Sequence, residues 1–294
     1  MESPERLQQR IKSVGDLDDI VGTMKALSAA SIHQYEKAVT SLADYWHTVE
    51  LGLHIVMRES EDQTVQLHPP NGRLASIVFG SDHGLCGRFN EEIAEYTLEH
   101  IKTIPTDFKP KILCVGMRAS EKLEMAGQPV DEVINLPGAA NQIGTTIQDI
   151  LLHIDRWREE DGLEHLYLFH NRPSSRATYR PTRFHLLPLH LLHFHHLEEK
   201  TWPGSSLPTY TMDRDTLLSS LLHQYFFISL FRACAESQSA EHGSRLTAMQ
   251  AAEKSLDENR EDLIGQYRRV RQEMITTELL DIVAGFEAAS NEKL

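Results

Sequence analysis

Proline is confined to the middle of this chain and to one position near its start. All 12 prolines fall at Pro4 or between Pro69 and Pro208, so residues 5–68 and 209–294 contain none. Proline removes a backbone donor and clashes with the preceding turn, so only its absence permits a long unbroken helix. At about 1.5 Å per residue the first stretch could run roughly 80 Å and the second roughly 120 Å as helix. Ordinary globular helices average about 11–12 residues. The pattern predicts two long terminal helices around a compact middle.

Periodicity supports this. Stepping alternately by four and three from Leu7 meets Ile11, Val14, Asp18, Val21, Lys25, Ser28, Ile32, Tyr35, Val39, Leu42, Trp46, Val49, Leu53 and Val56, of which only Asp18, Lys25 and Ser28 are polar. A seam sustained this long predicts a coiled coil. The seam from Leu218 through Tyr225, Ile228, Ala235, Met249, Leu256, Leu263 and Val270 is weaker, because it also meets Arg232, His242, Glu253 and Arg260. On pattern alone, a bundle of shorter amphipathic helices stays open, with Gly243 and Gly265 as its plausible breaks.

Residues 69–208 change character. Leu74–Phe79, Lys111–Val115 and Leu163–Phe169 are short apolar runs that read as buried strands. Helix-like segments lie at about 90–103, 118–126 and 141–159, and alternation of this kind predicts crossover units on a mostly parallel sheet. A further strand is expected between Ala177 and Leu192, interrupted by Pro181 and Pro188. The expected fold is α/β: a long antiparallel coiled coil of the terminal helices (1–68 and 209–294) with an inserted Rossmann-like α/β domain (69–208).

The turn after the first strand reads Gly80-Ser81-Asp82-His83-Gly84-Leu85-Cys86-Gly87. It matches neither of the two phosphate-cradling glycine motifs, so no nucleotide cofactor is expected. Asp82 reads as a cap or turn residue. Cys86 has no identifiable orienting carboxylate and makes a poor nucleophile. The histidines at 185, 190, 193, 195 and 196 lack the spaced cysteines or carboxylates of a metal site. No catalytic, cofactor-binding or metal-binding residue is therefore expected.

A net charge of −14 disfavours nucleic acid and anionic lipid as partners, since both need clustered lysine and arginine. Three separated cysteines fit a reducing compartment. No signal peptide opens the chain, and the most apolar stretch, Leu217–Phe231, is too short to span a bilayer. The protein is expected to be cytoplasmic, or held at a membrane by partners without direct lipid insertion.

Three stretches together resemble the gamma subunit of F-type ATP synthases, the rotating central stalk. They are Arg10–Val14 leading to Met24-Lys25-Ala26-Leu27-Ser28-Ala29-Ala30, the turn Ser81–Asn90, and a C-terminal block. That block holds Ser244–Ala252, Tyr267–Gln272 and Ile275-Thr276-Thr277-Glu278-Leu279-Leu280-Asp281-Ile282-Val283-Ala284-Gly285. The last run is similar to the family pattern Ile-Thr-x-Glu-Leu-x-Glu-Ile-Val-x-Gly, with Asp281 for the second glutamate. The resemblance spans the whole chain in order and favours the coiled coil over the bundle. It implies a non-catalytic rotor that couples ion-driven rotation to ATP synthesis or hydrolysis, peripheral on the cytoplasmic face of the membrane. Its implied partners are the alpha and beta ATPase subunits, an epsilon-type subunit and the membrane ring of c subunits. It also implies that Arg245, Gln272, Thr276 and Glu278 contact beta subunits, and that Ile282, Val283 and Phe286 form an apolar bearing tip.

Two departures stand out. Ser31–Lys37 is nearly stripped of the positive charge usual after the Ala-Ala pair, and His83 replaces the arginine of the turn. They leave a divergent paralogue in an alternative, sodium-translocating-type ATPase open beside a housekeeping subunit. The rival readings are a free-standing coiled-coil adaptor with an α/β domain, which leaves the C-terminal motif unexplained, and a Rossmann-type enzyme, which leaves the long helices without use.

Overall fold

In the computed structural model the described residues are 3–58, 72–104, 106–174, 178–188 and 209–291, with side chains at 57, 58 and beyond 284 left out. Helix α1 spans Pro4–Ser41 and α2 spans Ala43–Arg58. Strands and helices then alternate as β1 (Arg73–Phe79), α3 (Phe89–Thr103), β2 (Lys111–Val115), α4 (Met117–Met125), β3 (Glu132–Ile134), α5 (Ile143–Asp161), β4 (Leu163–Pro173) and β5 (Tyr179–Leu187). The last helix, α6, runs over Arg214–Asn291. Asp213 starts it by accepting from the backbone N–H of Thr216 at 3.2 Å, as an N-cap carboxylate does.

The chain divides into two compact units, residues 1–27 with 246–294, and residues 28–245. The boundary falls inside both α1 and α6.

In the first unit Leu7, Val14 and Leu263 are buried, with Ile11, Leu256, Tyr267 and Val270 packed against them. Lys25 meets Glu253 at 2.6 Å. A residue near the start of α1 thus faces the far part of α6 while Lys25 faces an earlier one, so the two run antiparallel. Asp18 and Lys25 interrupt the apolar seam, and the one at position 25 is matched by an opposite charge.

The second unit is built on a five-stranded sheet in the order β3-β2-β1-β4-β5. All neighbours are parallel except β4 and β5. Side chains alternate between its two faces as the strand period requires. Ala75, Ile77, Phe79, Leu113, Val115, Leu166 and Leu168 share one core with α5 and the first part of α6. Leu74, Val78, Ile112, Cys114 and Phe169 face the other way, with Ile93 and Ala94 of α3 and Ala119 and Leu123 of α4. Covered on both faces, the central strands read as near-continuous apolar runs. Pro181 is tolerated in β5 because that strand is the sheet edge.

Two features differ from the sequence expectation. The apolar seam of the first stretch serves two purposes: Leu7 to Val14 pair with α6, whereas Tyr35, Val49 and Leu53 join the sheet's core. The heptad pattern reports a buried stripe without saying what buries it. The helix also breaks at Leu42, where the Thr40 hydroxyl donates to Glu36 and Lys37 carbonyls and that of Ser41 to Ala38. Such back-bonding competes with the helical ladder. At the other end neither Gly243 nor Gly265 interrupts α6.

Candidate functional site

At the carboxyl end of β1 the chain turns sharply. A Cβ added to Gly80 would sit 2.1 Å from that of Ala119, so only glycine lets α4 approach this closely. Asn90 closes the turn, accepting from the Ser81 backbone N–H at 3.0 Å and donating to its hydroxyl at 2.8 Å. Asp82 accepts from the N–H of Met117, the first residue of α4, at 2.9 Å and from that of Leu136 at 2.8 Å. It is a cap that ties the turn to two neighbouring segments.

The same turn is held from the other side by α6. Ser244 donates to the Cys86 carbonyl at 2.6 Å. The Arg245 guanidinium donates to the carbonyls of His83 at 3.3 Å and Gly84 at 3.4 Å. Glu241 holds the guanidinium at 2.5 Å and accepts from Gln238 at 3.0 Å. Burial pushes the Glu241 carboxyl up to about 7, against the opposing pull of Arg245 and Gln238. Burial, and then the Arg245 charge, lower His242 to about 4, and its ring stacks on Tyr35 at 5.6 Å. A phosphate cradle offers backbone N–H groups to an anion. This turn instead directs carbonyl oxygens at a cation, so its geometry suits anchorage of α6. Burial raises the Cys86 thiol pKa, which disfavours the reactive thiolate.

Arg245 is therefore 6% exposed and committed to its own chain. Gln272, Thr276 and Glu278 lie in the other compact unit, in a run from 271 to 284 whose every residue is exposed. Thr276 donates its hydroxyl to the Gln272 carbonyl at 2.8 Å, which joins those two along one helix face. Ile282 is 72% and Val283 45% exposed. The side chain of Phe286 lies outside the described residues, as do His190, His193, His195 and His196. His185, on β5, stacks against His165 and Tyr167. Among the described residues, no group of three or more metal-ligating side chains gathers in one place.

Sequence reasoning missed Glu241 and the pair of His170 with Glu236. The i,i+4 spacing of Glu241 and Arg245 was a usable signal. Nothing in the sequence joins His170 to Glu236, which the fold places at 2.9 Å.

The sequence profile of the ATP synthase family matches residues 3–289. An ATP synthase gamma chain of Geotalea uraniireducens (strain Rf4) is 30% identical over 98% of this chain and 99% of its own length. That of Desulfitobacterium hafniense (strain DSM 10664 / DCB-2) is 26% identical with the same coverage. Among solved structures, a chain of the Euglena gracilis mitochondrial ATP synthase (OSCP/F1/c-ring, rotational state 3) superposes with a TM-score of 0.64 at 17% identity, covering 99% of this chain and 95% of that one. A chain of the Tetrahymena thermophila mitochondrial ATP synthase central stalk and c-ring gives 0.54 at 17% identity, covering 79% and 99%. Matched from end to end in sequence and fold, the chain belongs to the ATP synthase gamma chain family.

Proposed function

We infer that this chain is the central-stalk rotor subunit of an F-type, ion-translocating ATP synthase, coupling rotation to ATP synthesis or hydrolysis carried out by its partners. The observation that carries the reading is the uncovered end of α6. Ile275, Leu279, Leu280 and Ile282 are each more than half exposed. A lone soluble chain rarely leaves that much contiguous apolar surface to water, so a partner is implied. Gln272, Thr276 and Glu278 are the proposed polar contacts to the beta subunits. Ile282, Val283 and Phe286 are the proposed bearing tip within the alpha/beta ring. Arg245 enters this scheme through the turn it clamps rather than through a free guanidinium.

The α/β segment, 69–208, is proposed to meet an epsilon-type subunit and the c ring, and the complex to lie peripherally on the cytoplasmic face. Among the described residues no helix is long and apolar enough to cross a membrane. A rotor acts by making different contacts in different orientations, which biases the conformational equilibria of the subunits around it.

The reading is tested by co-expressing the tagged chain with alpha and beta subunits from the same genome. Co-purification and ATP hydrolysis that drives rotation of the tagged chain are expected. A chain that purifies alone, with no ATPase subunits at any salt concentration, favours the adaptor reading instead.

A further inference from the structure

On the sheet face that carries α6, a pocket of about 190 Å³ opens between β4, β5, α2 and α6. Cross-strand neighbours supply one wall, with Leu168 opposite Phe184 and His170 opposite Thr182. Positions 229, 232, 233 and 236 of α6 supply the other, and their i, i+3, i+4, i+7 spacing makes a single helix stripe. Trp46 of α2 completes the lining.

The polar groups are arranged around one buried carboxylate. Glu236 accepts from His170 Nε2 at 2.9 Å and from Arg232 Nε at 2.8 Å, and Arg172 Nε lies 3.6 Å away. Two guanidinium groups thus share one carboxylate through their Nε atoms, which leaves a surplus of positive charge. Both arginine side chains stay over 40% exposed. Among the described residues no partner faces their Nη edges. His170 is 6% exposed, and its Nδ1 is buried without a hydrogen-bond partner. With Nε2 turned to the carboxylate, Nδ1 is the ring nitrogen left to meet a ligand. An unmet buried polar atom of this kind is uncommon and calls for an explanation.

We propose that this pocket binds a small organic acid, its acid group on the Nη edges of Arg172 and Arg232 and its apolar body against Trp46, Leu168 and Phe184. Planar guanidinium forks suit carboxylate and phosphate alike. The volume fits: an apolar cavity of roughly 150 Å³ holds benzene, so a single ring bearing an acid group is the natural size. The proposal does not depend on the rotor reading, since every lining residue lies in the unit that contains the sheet.

Benzoate, benzyl alcohol and acetate, titrated separately into the purified full-length chain, separate charge from apolar body. Ligand-detected NMR is expected to give benzoate a Kd on the order of 0.1–1 mM, with the other two at least about tenfold weaker. Arg172→Gln with Arg232→Gln is expected to weaken benzoate about tenfold or more, and Arg156→Gln, whose exposed side chain pairs with Glu132 of β3 at the opposite sheet edge, to change nothing. Should the double variant fail to fold, Thr182→Met fills the pocket with both arginines in place and is expected to block benzoate. Absence of saturable binding up to about 10 mM, binding that survives both the arginine and the filling variants, or equal binding of benzyl alcohol would overturn the proposal.

Discussion

Glu236 is the residue whose ionisation the fold uses most directly. Burial alone would raise its carboxyl, but the His170 and Arg232 hydrogen bonds and charges outweigh it and lower the pKa from 4.5 to about 2. A carboxylate with a folded value below its unfolded one stabilises the protein above the unfolded value, and that stability is lost as pH falls from 4.5 toward 2. The contribution is on the order of 3 kcal/mol at neutral pH. His242, lowered from 6.5 to about 4, also favours folding as pH rises, but between about 4 and 6.5. Glu241, raised from 4.5 to about 7, acts in the opposite sense, so the Glu236 effect stands clearest below pH 4.5. Glu236→Gln is expected to cost about 2–4 kcal/mol in urea unfolding at pH 7 and to flatten the acid loss below pH 4.5. The exposed residues of α6 behave differently. Gln272→Leu and Glu278→Ala are expected to change folding stability by no more than about 0.5 kcal/mol. Both are expected to lower ATP turnover and coupled synthesis by the reconstituted complex at unchanged subunit stoichiometry. Wild-type turnover in both would mark these side chains as a solvated helix face.

At the scale of elements, the antiparallel pairing of α1 with α6 has a direct test. Lys25→Cys with Glu253→Cys is expected to join through a short bifunctional thiol reagent, since the native side chains meet at 2.6 Å. Lys25→Cys with Met274→Cys is not, because antiparallel register moves later α6 positions toward the start of α1. Read on a gel after cleavage between the helices, the reverse result would refute the register. The elements of the sheet were largely legible, because β1, β2 and β4 are apolar runs buried on both faces. Strand β3 was not. Its three residues include Val133, 43% exposed, and it exists because the edge of β2 has backbone groups to pair. The break at Leu42 was equally hidden, since Thr40 and Ser41 are common in unbroken helices too.

For the whole molecule, nucleotide binding by this chain has a direct test. Calorimetry on the full-length protein with ATP and with NAD is expected to give no low-micromolar binding, because the turn directs carbonyls at Arg245 and holds neither phosphate-cradling motif. A low-micromolar isotherm would revive an enzymatic reading of the middle segment. The sequence by itself determined the two long helices, the α/β middle, the absence of a glycine phosphate motif and, through its C-terminal motif, the family. Each of these rests on local pattern: proline placement, apolar period, glycine spacing or a contiguous run of residues. Only the tertiary structure decided that Tyr35 to Leu53 pack on the sheet, that Arg245 clamps a turn instead of facing outward, and that His170, Arg172 and Arg232 gather on Glu236. These depend on residues far apart in the chain, and the energy of such a contact comes from burial and geometry that no single segment encodes.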